Sequence, residues 1–332
     1  MIRTASEGPD WLDQTRREGA REEEIVGVSL ALTQATGIAR RFAPTEMPIL
    51  LIGETGTGKE LLARAIHRWS GRSGPLVDLN CAALPPDLVE GELFGHTRGA
   101  FTGATHDRLG LVAASDRGTL FLDELGSLPP PVQAKFLRVL ETGEVRRVGE
   151  TFKRRVDFRV VAAAQPDLPS RARGGTFRLD LLYRLTGVVI KLAPLVERPS
   201  DILPLARHFA REHGSTLAPS AERMLLEHRW PGNVRELRAV IRRAVSLAVS
   251  GEIDFAALRE GITLGGVLLP ATANRDCGGE RRALLASWIA AGWNADQMAA
   301  AVGVHRATIF RWLKANRLSL RLSGLNGATF PP

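Results

Sequence analysis

The sequence predicts an α/β fold, a parallel sheet with flanking helices, followed by a small all-α helix-turn-helix domain. Three observations carry this. Two short apolar runs, Ile49-Leu50-Leu51-Ile52 and Leu120-Phe121-Leu122, read as strands buried on both faces. A glycine-rich turn follows the first of them directly, and near the C-terminus two helical runs meet at Gly303. The chain of 332 residues has room for two or three domains, and its 44% hydrophobic and 24% charged residues are ordinary for a soluble protein.

Residues 1–24 form a short polar extension with no apolar run suited to a signal peptide or a membrane span, so a cytoplasmic protein without a membrane partner is expected. Two cysteines, Cys81 and Cys277, suffice for neither a disulfide framework nor a clustered metal site. The net charge of +8 is compatible with a polyanionic partner, yet a basic solvated surface explains it equally well.

The first strand leads into Gly53-Glu54-Thr55-Gly56-Thr57-Gly58-Lys59, with a helix expected to begin near Glu60. Glycines let successive backbone N–H groups curl around phosphate oxygens, Lys59 brings charge to the outer phosphates, and the helix adds its positive end: the P-loop pattern of a nucleotide site. Glu60 stands where Ser or Thr would ligate Mg²⁺ in the generic pattern, so metal holding must rely on other groups. The second strand, Thr119-Leu120-Phe121-Leu122-Asp123-Glu124, supplies them. Asp123 would hold Mg²⁺ directly or through water, and Glu124 would polarise the attacking water. Two solvated acids at a strand end are the alternative, disfavoured by the P-loop upstream.

Between these motifs lies Gly99-Ala100-Phe101-Thr102-Gly103-Ala104. One aromatic among small residues matches neither the helical nor the strand period of a core, so composition alone gives an exposed, flexible turn.

With Glu92-Leu93-Phe94-Gly95-His96 before it, the hexapeptide resembles the signature of the bacterial enhancer-binding proteins, AAA+ ATPases that activate transcription by sigma-54 RNA polymerase. The resemblance runs from about Ile25 to the C-terminal helices. It implies an AAA+ α/β nucleotide-binding subdomain over 25–190, a helical lid over 191–262, a linker over 263–279, a helix-turn-helix domain over 280–322 and a tail over 323–332. It also implies ATP and Mg²⁺, a ring, specifically a hexamer, and a loop near its pore whose Phe101 and Thr102 engage sigma-54.

Further roles are carried over from the same resemblance. Asn80, in Leu79-Asn80-Cys81-Ala82-Ala83-Leu84, matches an Asn that pairs with the catalytic Glu, here Glu124, although the residues alone would equally let it cap a helix. Arg178 and Arg184 match arginine fingers that reach a neighbour's nucleotide; without the resemblance they are a solvated face. Arg235, in Trp230-Pro231-Gly232-Asn233-Val234-Arg235-Glu236-Leu237, matches the lid residue that senses the outer phosphate, whereas in isolation it is a surface arginine on a turn opening a helix. One departure is clear: Ala164-Gln165 follows the strand Phe158–Ala163 where the family has Thr-Asn, and the longer Gln165 amide implies slow or differently regulated hydrolysis.

In the segment 293–314, small residues, Gly303 and the inward-facing Val304, Ile309 and Leu313 form a helix-turn-helix pattern, though a plain helical hairpin would show the same periodicity. It resembles the Fis-type domain of the family. His305, Arg306, Thr308, Arg311 and Lys314 on its second helix are the candidates for contact with upstream enhancer DNA.

The expected function is a sigma-54-dependent activator that uses ATP hydrolysis to open promoters with the sigma-54 RNA polymerase holoenzyme. The alternative is a DNA-binding regulator that assembles with ATP, hydrolyses it weakly and acts through a heteromeric partner. About two dozen residues precede Ile25, too few for the sensory domain many relatives carry. Control is therefore expected from a regulatory protein acting in trans, from the chain's abundance, or from hetero-oligomers with a related activator rather than homo-oligomers alone.

Overall fold

The computed structural model describes residues 25–101, 103–248 and 251–265, together with Ala295, Gln297, Met298 and Leu313. The chain divides into two compact units, 1–265 and 266–332.

In the first unit the strands β1 (Ile49–Ile52), β2 (Leu76–Asn80), β3 (Thr119–Asp123), β4 (Arg159–Ala164) and β5 (Val188–Lys191) form one sheet in the order β2-β3-β4-β1-β5. Every pair is parallel, with Ile49 opposite Val161 and Asn80 opposite Asp123. The continuous apolar runs are explained by the partition of their side chains. Ile49, Leu51, Phe121, Val161 and Ala163 pack on one face with residues of α1 (Leu30–Phe42) and α2 (Lys59–Ser70). Leu50, Leu120, Leu122, Val160 and Ala162 pack on the other, with α3 (Pro86–Phe94), α4 (Pro130–Thr142) and α5 (Leu179–Leu185). A strand covered on both sides has no polar positions to alternate with.

The lid holds its own core. Helices α6 (Ile202–Glu212), α7 (Pro219–Glu227), α8 (Asn233–Leu247) and α9 (Phe255–Gly265) surround Leu205, Phe209, Leu225, Trp230, Leu237, Ile241 and Leu258. Trp230 is 1% exposed, and its indole N–H donates to the Leu225 carbonyl at 2.8 Å. Trp230→Ala removes the largest side chain of this small core and is expected to destabilise the protein by about 3–5 kcal/mol, read as a lowered denaturant midpoint.

Two expected boundaries move by a few residues. Lys191 closes β5 instead of opening the lid, and α9 continues to Gly265, past the expected lid end at 262. In the second unit Ala295, Gln297, Met298 and Leu313 are helical, and Ala295, Met298 and Leu313 are buried. Ala295 and Met298, three residues apart, share a helix face. The proposed DNA-facing residues His305, Arg306, Thr308, Arg311 and Lys314 lie outside the described residues.

Candidate active site

The carboxyl ends of the parallel strands bring the sequence-identified groups together, as expected for an open α/β sheet. After β1 the chain turns through Gly53 to Gly58 with Gly56 and Gly58 at φ 79° and 102°, the left-handed conformations that glycine permits without strain. Helix α2 then begins at Lys59, one residue before the expected start. The Thr57 hydroxyl donates to the Glu54 carbonyl at 2.8 Å and holds the loop closed. Lys59 is buried, and its Nζ donates to the Gly53 and Glu54 carbonyls at 2.7 and 2.9 Å. Glu60 is exposed and pairs with Arg64 at 2.9 Å along the helix.

Asp123 ends β3, and its Oδ1 accepts the Glu124 N–H at 2.9 Å. Glu124 adopts φ 51°, a left-handed conformation uncommon for a non-glycine residue. Burial holds the Asp123 carboxyl above its ordinary range; the Glu124 amide and the Lys59 charge oppose this, and the Glu124 carboxylate adds to it. Burial likewise lowers the Lys59 ammonium, against the pull of Asp123 and Glu124, while Arg235 reinforces the lowering. Lys59, Asp123, Glu124 and Arg235 thus share one electrostatic environment. Mg²⁺ typically binds through one or two carboxylates plus phosphates and waters, so Asp123 beside the phosphate loop is a donor set that fits it.

Gln165 follows β4, the strand that lies between β1 and β3. Gln165 donates from Nε2 to Glu124 Oε2 at 3.2 Å. Asn80, expected to pair with Glu124, ends β2 and accepts the Ala82 N–H at 2.9 Å. The longer Gln side chain therefore reaches the glutamate in this state, while Asn80 closes its own turn. Arg178, just before α5, and Arg184, on it, are exposed: Arg178 pairs with Asp180 at 2.6 Å and Arg184 donates to the Leu140 carbonyl at 2.9 Å.

The hexapeptide caps a hairpin whose legs, Gly95–His96 and Arg108–Leu109, pair antiparallel. Gly99 and Gly103 take φ 81° and 99°, and the Gly99 N–H donates to the Ala104 carbonyl at 2.8 Å. Phe101 is 40% exposed and lies edge-on to His96, with ring centroids 4.9 Å apart. Thr102 lies outside the described residues. A second hairpin, Glu144–Val145 with Arg154–Arg155, supports the first: the Thr97 N–H donates to the Val148 carbonyl at 3.0 Å, and the Val148 N–H to the Gly95 carbonyl at 2.9 Å. Its Arg147 faces Asp107 at 3.5 Å. Sequence reading missed this second hairpin.

It also missed Arg198 and Asn233, buried side chains from the lid side that donate into the P-loop. The Trp-Pro-Gly-Asn run marked Asn233 as a turn, and only the fold turns its amide toward Thr55.

A five-stranded parallel sheet in this order, with a P-loop, an acidic pair on the strand across β4 and a helical lid, defines an AAA+ fold. The chain matches the sigma-54 interaction domain over residues 25–191 and the AAA+ ATPase lid domain over 196–266. It belongs to the sigma-54 interaction domain family. The nitric oxide reductase transcription regulator NorR2 of Cupriavidus necator is 45% identical over 282 residues, covering 81% of this chain and 54% of that protein. The anaerobic nitric oxide reductase transcription regulator NorR of Salmonella paratyphi C is 48% identical, covering 70% of this chain and 47% of that protein. The chain thus spans about half the length of the curated relatives it matches. Among solved structures, NtrX from Brucella abortus in complex with ATP is similar with a TM-score of 0.66 and 33% identity, over 92% of this chain and 73% of that one. A RuvB mutant of Thermotoga maritima, 16% identical with a TM-score of 0.51, over 89% of this chain and 90% of that one, shares the fold alone.

Proposed function

We propose that this chain is a sigma-54-dependent transcriptional activator that binds upstream enhancer DNA and hydrolyses ATP in an oligomeric ring, a hexamer, to remodel the closed promoter complex. The observation that carries the reading is the presence together, in one unit of a sigma-54 interaction domain chain, of the Lys59–Asp123–Glu124 cluster and the glycine-hinged Phe101 hairpin.

In this reading the N–H groups from Gly53 to Lys59 bind the phosphates and Lys59 leaves its loop carbonyls for the outer ones. Asp123 would hold Mg²⁺, which would supply neutralisation of phosphate charge when bound. Glu124 accepts the proton of the attacking water, Arg178 and Arg184 of a neighbouring subunit offset charge on the transferring phosphoryl group, and Arg235 reads the outer phosphate. Asn80 and Gln165 compete to hold Glu124 in successive states. Gly99, Ala100, Gly103 and Ala104 let the hairpin tip move Phe101 and Thr102 against sigma-54. The segment 280–322 binds DNA through His305, Arg306, Thr308, Arg311 and Lys314.

A second reading is favoured by one observation, the Gln165–Glu124 hydrogen bond at 3.2 Å. It describes a DNA-binding regulator that assembles with ATP, hydrolyses it weakly and acts through a heteromeric partner. ATP turnover per subunit, measured against protein concentration, separates the two. The activator reading expects specific activity to rise with concentration, because each site needs a neighbour's arginines. Undetectable turnover at every concentration, with nucleotide still bound, favours the regulator.

A further inference from the structure

We propose that the lid sets the phosphate-binding shape of the P-loop through two positioning residues, Asn233 and Arg198, which anchor the loop's outward-facing carbonyls. The inference rests on the nucleotide-site reading above and adds a determinant of affinity on the lid side.

A backbone loop that turns successive N–H groups inward around an anion must turn carbonyls outward. Outward carbonyls left without donors would loosen that curl. Here three successive ones are each held from the lid. The Thr55 carbonyl accepts from Asn233 Nδ2 at 3.1 Å, the Gly56 carbonyl from the Val234 N–H at 2.9 Å, and the Thr57 carbonyl from Arg198 Nη2 at 2.8 Å. The carbonyls of Gly53 and Glu54 are held from within by Lys59, at 2.7 and 2.9 Å. Phosphates that draw Lys59 away release the Gly53 carbonyl and leave that of Glu54 on the Thr57 hydroxyl at 2.8 Å, so the lid donors are the anchors that reach the loop from outside it.

Both side chains are built for this duty. Asn233 is 1% exposed and sits at φ 53°, a conformation asparagine tolerates better than most residues. Its Oδ1 accepts the Leu195 N–H at 2.6 Å, which orients Nδ2 toward Thr55 and, at 3.1 Å, toward the Glu54 carboxylate. Arg198 is 4% exposed and faces Asp201 at 3.5 Å. Asp201, fully buried, accepts the N–H groups of Val28 and Ser29 at 2.6 and 2.7 Å and the Ser29 hydroxyl at 2.7 Å. Ser29 caps α1, so the guanidinium is steadied by the segment that enters the domain. Rotation of the lid drags or breaks these bonds and so alters the grip on phosphates common to ADP and ATP, whereas Arg235 acts on the outer phosphate alone.

The test measures dissociation constants of ADP and of a non-hydrolysable ATP analogue by titration calorimetry on the whole chain, alongside unfolding temperatures. Asn233→Asp, made in a Glu54→Gln background so that no second carboxylate faces it, keeps the oxygen for Leu195 and tolerates the left-handed backbone but loses the donor to Thr55. Arg198→Met loses the donor to Thr57, and Arg198→Lys restores one. Asn233→Asp and Arg198→Met are expected to weaken both nucleotides about tenfold by the same factor, with Arg198→Lys recovering most of the loss. Arg235→Ala should weaken the ATP analogue alone. Variants that melt earlier yet bind both nucleotides as wild type does would reduce the two residues to lid packing and overturn the proposal. So would Arg198→Lys binding as poorly as Arg198→Met, a comparison that stands even where Asn233→Asp does not fold. A wild-type chain that binds neither nucleotide removes the site reading itself, an outcome distinct from unchanged variants.

Discussion

Replacing Arg178 and Arg184 together by Ala is expected to lower ATP turnover by roughly 10³- to 10⁵-fold while leaving the fold and nucleotide affinity near wild type. Both side chains are exposed, and their bonds within the chain are a local ion pair to Asp180 and one hydrogen bond to the Leu140 carbonyl. Surface pairs of this kind contribute little to stability, so a large kinetic loss cannot be assigned to unfolding. If the arginines act on a neighbour's nucleotide, the defect is complementable. Mixing this variant with a Glu124→Gln variant places an intact Glu124 beside intact arginines at some interfaces, and turnover should reappear in the mixture. A mixture as inactive as its components contradicts action in trans.

Glu124→Gln carries the second large effect, a loss of turnover of about 10²- to 10⁴-fold with ATP binding retained. Glu124 follows the buried strand β3 at φ 51° and is held by Gln165 at 3.2 Å, so its carboxylate is positioned before substrate arrives. The amide keeps the shape and can still bond to residue 165, but it cannot accept a proton from water. Single-turnover hydrolysis together with nucleotide titration separates the two steps. Loss of binding in proportion to turnover would make Glu124 a binding residue.

The parts legible in the sequence were those whose signal is local. The apolar runs of β1 and β3 announced a doubly covered sheet because burial on both faces removes polar alternation, as the partition of Leu50 from Ile49 and Leu51 shows. The P-loop and the acidic pair follow strands directly, so spacing alone located Lys59, Asp123 and Glu124. What sequence could not show depends on contacts between distant segments. Arg198 meets Thr57 across 141 positions and Asn233 meets Thr55 across 178, and no periodicity encodes either. The exposure of Gly99, Phe101 and Gly103 followed from composition; the burial of Ala104 and the hairpin's support by Val148 and Arg147 did not. Asn80 and Gln165 show the same limit at finer scale, since which of them holds Glu124 is decided by side-chain length and by the strand order that puts β4 beside β3.

We propose that ATP turnover at Lys59 and Glu124 drives the Phe101–Thr102 tip against sigma-54 polymerase. Permanganate reactivity of unpaired thymines tests it most directly, on a promoter incubated with sigma-54 holoenzyme, enhancer DNA, ATP and this protein. Wild type should melt the start-site region, while Thr102→Ala, with turnover preserved, and Glu124→Gln should leave it closed. A wild-type protein that turns over ATP but never opens the promoter, or a Thr102→Ala variant that opens it normally, would contradict the account.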